Sequence, residues 1–255
     1  MKETIIRRIT EVPLEDPILI EGLPGVGHVG KLVAEHLVEE LKAEKIIEVY
    51  SPHFPPQVIV QDDGTVKLVT NEIYAYKGDG RDLLLLVGDY QSATNEGHYE
   101  LTGIFLDLAE ELGVSRIYTL GGYGTGQFLD KPQVMGATNS LELVEEMKEY
   151  GVIFQENEPG GGIIGVSGLM VGLSRLRNGI DALCLMGMTS GYLVDPKSAQ
   201  AVLRVLCKVL DIEVDMQALE DRAKEMERIV GKLREMEKSQ MGYESASNDD
   251  LRYIR

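Results

Sequence analysis

The sequence predicts an α/β fold in three layers, α/β/α. Short apolar runs alternate with helical patterns along most of the chain, and two of those runs, LLLLVGD and RIYTLGG, are apolar on consecutive positions. A strand apolar on consecutive positions is covered on both faces, which in such proteins means a helix layer above and below one sheet. With 255 residues, 44% of them hydrophobic, the chain can bury a sizeable core.

Taken in order, IRRITEVPLEDPILIEG predicts a strand that delivers the chain to the glycine-rich stretch GLPGVGHVGKL, residues 22–32. Behind it, Val29, Leu32, Val33, Leu37 and Leu41 recur at helical spacing. KIIEVYS, VIVQ, TVKLVTNEIYAY and DLLLLVGD follow as short strands, with a hairpin signal at Asp62–Gly64. ELTGIFLDLAEELGV predicts a helix starting near Tyr99 and ending at Gly113, RIYTLGG a strand, and SLELVEEMKEYGV a helix before a strand near Ile153. GIIGVSGLMVGLSRLRNG and DALCLMGMTSGY continue the alternation, and SAQAVLRVLCKVLDI is helical. In MQALEDRAKEMERIVGKLREMEK, Leu219, Met226 and Leu233 are seven apart, with Ile229 and Met236 as a companion row. The organisation expected is a domain over 1–212, an amphipathic helix over 213–238 packed on it or at an oligomer interface, and a flexible tail over 239–255. That tail ends in the apolar tip LRYIR.

The net charge of −17 repels phosphate backbones and anionic lipid, which argues against nucleic-acid and membrane partners. The N-terminal MKETIIRRITEVPLEDP lacks the apolar core of a signal peptide and no apolar run is long enough to span a bilayer, so a cytoplasmic location is expected. Cys184 and Cys207 sit in apolar runs and read as buried thiols, and His28, His36, His53 and His98 do not cluster with them as metal ligands would.

Two phosphate-binding templates overlap in GLPGVGHVGKL. Gly25, Gly27 and Gly30 fit G-x-G-x-x-G, while Gly25, Gly30 and Lys31 fit most of a P-loop. The P-loop needs a hydroxyl after the lysine to hold magnesium, and Leu32 stands there. The dinucleotide motif needs an acidic residue at the end of the second strand, and Glu48 lies inside its apolar run. A glycine turn that lets helix and sheet approach closely accounts for the stretch more simply. Further on, GDYQSATNEGHYELTG gathers polar residues past the end of a buried strand, where open α/β sheets place ligands. With the first loop it defines a candidate pocket rim of Gly25, Gly27, Asp89, Gln91, Asn95 and Glu96. No G-x-S-x-G elbow surrounds Ser92. LGGYGTGQ and EPGGGIIGVSGLM add two more glycine-rich loops, and no nucleophile, base and oxyanion partner is assigned, so neither catalytic chemistry nor a cofactor is expected.

Four blocks carry a family resemblance: EGLPGVGHVGKLVAEHL (21–37), LLLVGDYQSATNEGHYELTGIFLDLAEELGVSRIYTLGGYGTG (84–126), GGGIIGVSGLMVGL (160–173) and CLMGMTSGYLVDPKSAQAVLRVL (184–206). In these the sequence resembles the proteasome assembly chaperone family, specifically its archaeal members. The resemblance implies an α/β/α fold similar to nucleoside phosphorylases and hydrolases, used as a scaffold without an active site. It also implies homo-oligomers that bind proteasome core (α) subunits. Family members that dock on the proteasome are expected to use a C-terminal hydrophobic-Tyr-any tripeptide whose carboxylate meets a lysine. By that resemblance the partner-binding residues are Leu251, Tyr253, Ile254 and Arg255. Here the tyrosine is antepenultimate and follows Arg252, which displaces the ring about 3.3 Å along an extended peptide and turns it to the other face. The alternative is a ligand-binding protein or enzyme of the same fold acting at the glycine-rich rim.

Overall fold

The computed structural model describes residues 1–127, 129–177, 179–226 and 228. The strands are β1 (Ile5–Arg8), β2 (Ile18–Glu21), β3 (Glu44–Tyr50), β4 (Val58–Val60), β5 (Val66–Leu68), β6 (Asn71–Tyr76), β7 (Leu83–Gly88), β8 (Arg116–Gly124), β9 (Val134–Thr138) and β10 (Asp181–Thr189). One mixed sheet has the order β1-β3-β6-β7-β2-β8-β10-β9, and β4 and β5 form a separate hairpin. The centre β7-β2-β8-β10 is parallel. The flanks β1-β3-β6 and β9 are antiparallel.

Helices cover both faces. In β2 and β7, Ile18, Ile20, Leu83 and Leu85 face one layer, built by α1 (Val29–Glu40), α3 (Leu141–Glu149) and α5 (Pro196–Leu210). Leu19, Leu84 and Leu86 point the other way, into α2 (Asn95–Glu111) and α4 (Val166–Arg177). The consecutive apolar residues of these strands therefore serve two cores, as their pattern required.

Local chemistry sets several helix boundaries. The Thr94 hydroxyl accepts the Gly97 N–H and caps α2, which starts at Asn95, a turn earlier than the expected start near Tyr99. Asp195 caps α5 by accepting the Ser198 N–H, and Pro196 opens that helix where its missing donor costs nothing.

Some expectations are revised. IRRITEVPLEDPILIEG folds as two strands, the edge strand β1 and the central β2. TVKLVTNEIYAY likewise divides into β5 and β6. β9, in QVMGAT, was not anticipated, because Gly136 and Ala137 dilute its apolar signature, while Ile153 makes only an isolated bridge to Met135. Cys184 is buried as expected, but Cys207 is only partly covered. Residues 217–226 are helical, and Leu219 is fully buried in the core shared by α1 and α5. Ile229, Leu233, Met236 and the tail residues Leu251, Tyr253, Ile254 and Arg255 lie outside the described residues.

Candidate functional site

Helix α1 follows β2 onto one face of the sheet and α2 follows β7 onto the other. Adjacent parallel strands whose connections diverge in this way open a crevice at their carboxyl ends, the usual ligand position in open α/β sheets.

The glycine stretch beside this crevice brings helix and sheet together. A Cβ on Gly30 would collide with the carbonyl oxygen of Leu120 in β8, and one on Gly22 with the carbonyl oxygen of Gly30. Gly27 has φ +62 and packs against Thr189. Lys31 is occupied, its Nζ donating to the Gly88 carbonyl at 2.8 Å and pairing with Glu35 at 2.8 Å. Leu32 belongs to the core. β3 is separated from β2 by β6 and β7, and Glu48 engages Arg7, Lys45 and Tyr50 rather than a ribose position. The stretch has the geometry of a packing turn and not of a phosphate cradle.

Beside this switch point, at the ends of β2, β8 and β10, lies a crevice with a volume of about 390 Å³. Its walls come from the first glycine loop, the end of β8, residues 159–164 and the start of α4. Behind its Ser167 wall lies Glu21, 0% exposed at the end of β2. Ser167 Oγ donates to Glu21 Oε2 at 2.8 Å and the Leu23 N–H donates to Oε1 at 2.9 Å. Burial pushes the Glu21 carboxyl up to about 7, against the opposing pull of those two hydrogen bonds. Cys184, on the crevice wall, is pushed up to about 12 by burial and stays a thiol, which denies it thiolate nucleophilicity. Gln91 ties the site together: its Nε2 donates to the Pro24 carbonyl at 2.7 Å and its Oε1 accepts the Val166 N–H at 3.0 Å. The Tyr123 hydroxyl donates to Glu158 Oε2 at 2.9 Å.

Of the six rim residues expected from the sequence, the structure brings Gly25 and Gln91 to this crevice. Gly27 is packed against Thr189 beside it. Asp89 lies in a separate polar groove, where Lys67 approaches its Oδ1 at 3.0 Å and the Thr70 N–H donates to its Oδ2 at 3.1 Å. Asn95 and Glu96 are exposed on the first turn of α2. Ser92 braces the start of that helix, its hydroxyl accepting the Thr94 N–H at 3.0 Å. Thr94 Oγ1, His53 and Glu100 form a chain of contacts at 3.1 and 3.0 Å that has the order of a catalytic triad, but Thr94 Oγ1 is engaged as the cap of α2. Sequence reasoning missed Glu21 and Ser167. The signal available was a carboxylate closing the apolar run ILIE, a position that requires burial with a partner.

Among the described residues, no group of three or more His, Cys, Asp or Glu side chains could hold a metal ion. No described helix is long and apolar enough to cross a membrane.

Comparison with known proteins places this architecture. The PAC2 family model matches residues 19–234. The uncharacterized protein MJ1210 of Methanocaldococcus jannaschii is 43% identical over 258 residues, spanning 100% of this chain and 98% of that one. The crystal structure of Pyrococcus furiosus PbaB, described as an archaeal proteasome activator, is similar with a TM-score of 0.86 and 42% identity, over 92% of this chain and 100% of that one. Pyrococcus furiosus PbaA, described as an archaeal homolog of proteasome-assembly chaperone, has a TM-score of 0.76 and 26% identity over 99% of this chain and 100% of PbaA. With a family model matched over most of its length, this chain belongs to the PAC2 family.

Proposed function

We propose that this chain is a non-enzymatic, homo-oligomeric proteasome assembly chaperone homologue of the cytoplasm, which binds proteasome core (α) subunits or the assembled core particle. The observation that carries proteasome binding is the similarity to PbaB, described as a proteasome activator, at 42% identity across that whole chain, and the assembly-chaperone part rests on the similarity to PbaA. The chemistry of the crevice is consistent with a scaffold: Cys184 is held as a thiol and lacks the thiolate character of a nucleophile.

The folded surface offers a contact suited to a protein partner. In the β4-β5 hairpin, Val58 pairs with Leu68 and Val60 with Val66, which puts all four side chains on one face. They are 49%, 52%, 70% and 59% exposed, respectively. An exposed apolar face of this kind supports a contact with a partner, and a two-stranded hairpin alone is only marginally stable in water. A pull-down with purified α subunits tests the proposal, with Val60→Lys/Leu68→Lys as the surface variant. The reading expects capture by the wild type and loss in the variant. Absence of capture by the wild type, with free α subunits and with assembly intermediates, counts against it.

A further inference from the structure

We propose that the crevice at the ends of β2 and β8 binds a small uncharged molecule with an apolar body and an N–H or O–H donor, such as a neutral nitrogen heterocycle. This inference is independent of the proteasome reading.

Its first support is an unusual use of glycine. Around the crevice, Gly22, Gly30 and Gly122 are required by packing, since a Cβ on each would strike backbone oxygen. Gly25, Gly121 and Gly124 have no such reason. None has a positive φ. A Cβ on Gly25 would meet nothing within 4 Å, one on Gly121 only Met186 Cγ at 3.9 Å, and one on Gly124 nothing closer than 3.8 Å. All three line the crevice. Glycine costs folding entropy at such positions, and the gain it brings here is open space and a backbone that a ligand can approach.

The second support is an accounting of protons. Ser167 Oγ–H is directed to Glu21, the Gln91 amide donates to the Pro24 carbonyl, and the Tyr123 hydroxyl donates to Glu158. Apart from the second hydrogen of Gln91 Nε2, these side-chain donors are satisfied within the protein, while the lone pairs of Ser167 Oγ and Tyr123 Oη remain able to accept. No Lys or Arg lies among the described residues that line the crevice. Among the described residues a phosphate or carboxylate would find no counter-charge there, and it would face the carboxyl of Glu158. Leu23, Leu120, Ile163 and Met186 supply the apolar walls. The volume of about 390 Å³ falls within the range of small-molecule pockets.

Indole is a suitable probe, with 1-methylindole as its donor-free counterpart and inorganic phosphate as the anion. Thermal shift and calorimetric titration of the full chain read the binding, because a ligand of the native state raises its melting temperature. The proposal expects saturable stabilisation by indole, affinity for 1-methylindole about tenfold weaker through the lost hydrogen bond, and no effect of phosphate. Gly121→Val and Gly25→Val each place a side chain in the crevice and should each abolish the indole effect, with melting without probe as the check that the variant compared is folded. Stabilisation by phosphate in place of indole, equal binding of indole to a folded filled variant, or no saturable indole signal up to its solubility limit would each overturn the proposal.

Discussion

Ser167 and Glu21, 146 residues apart, are joined by a 2.8 Å hydrogen bond that fastens the first turn of α4 to the end of β2. The bond is buried on both sides, so the carboxyl it holds is a titrating group in the core and its protonation is linked to folding.

The sign of that linkage follows from the shift. The Glu21 carboxyl is raised from 4.5 to about 7 in the folded protein, so between those values the native state holds a proton that the unfolded chain has released. The contribution of Glu21 to stability is full below pH 4.5 and declines as the pH rises to about 7, by about 3 kcal/mol in all. Glu21→Gln mimics the protonated acid and should flatten this part of the profile. Urea unfolding at pH 5 and pH 8, wild type against variant, measures it; an unchanged pH slope in the variant contradicts the assignment.

Glycines in neighbouring positions should respond differently to alanine. Gly30→Ala drives a methyl into the Leu120 carbonyl and should cost about 1–3 kcal/mol, or prevent folding. Gly25→Ala meets open space and should leave stability within about 0.5 kcal/mol. Thermal melts of the two variants separate a packing glycine from one that only borders a cavity.

Leu219→Ala should destabilise by about 2–5 kcal/mol, because the side chain is fully buried against the α1 and α5 layer. If this residue instead served only an interface between copies, the loss would depend on protein concentration. Denaturation at two concentrations separates the cases.

Gln91→Ala removes both links between the first glycine loop and α4, and should cost about 2 kcal/mol. Limited proteolysis should show earlier cleavage within residues 156–165, the segment leading into α4. Cleavage no faster than in the wild type would argue against Gln91 as the tie.

Much of the fold was legible in the sequence because its signals are local. Runs such as LLLLVGD dictate a doubly covered strand, and Val29, Leu32, Val33 and Leu37 dictate the buried face of α1. β9 was illegible because its place depends on pairing with β10, and Val134–Thr138 contains small residues that carry no strand pattern. The division of IRRITEVPLEDPILIEG is likewise set by partners far along the chain. The candidate site was only partly legible for the same reason. Gly25 and Gln91 sit in loops whose position at a strand end can be read directly, whereas Glu21 and Ser167 meet only once the sheet and α4 have assembled. Asp89, Asn95 and Glu96 share a sequence neighbourhood with Gln91, but Asp89 is held in another groove by Lys67 and Thr70, and the turn at Thr94 carries Asn95 and Glu96 onto the exposed start of α2.

The most direct test of the proteasome reading is the affinity of the purified full chain for the core particle of the same organism and, separately, for its free α subunits, with and without residues 251–255. The account predicts saturable binding to at least one of the two; loss on removing 251–255 would assign the contact to the tail, and persistence would assign it to the folded surface. No binding to either, by a chain that is folded and of defined oligomeric size, would contradict it.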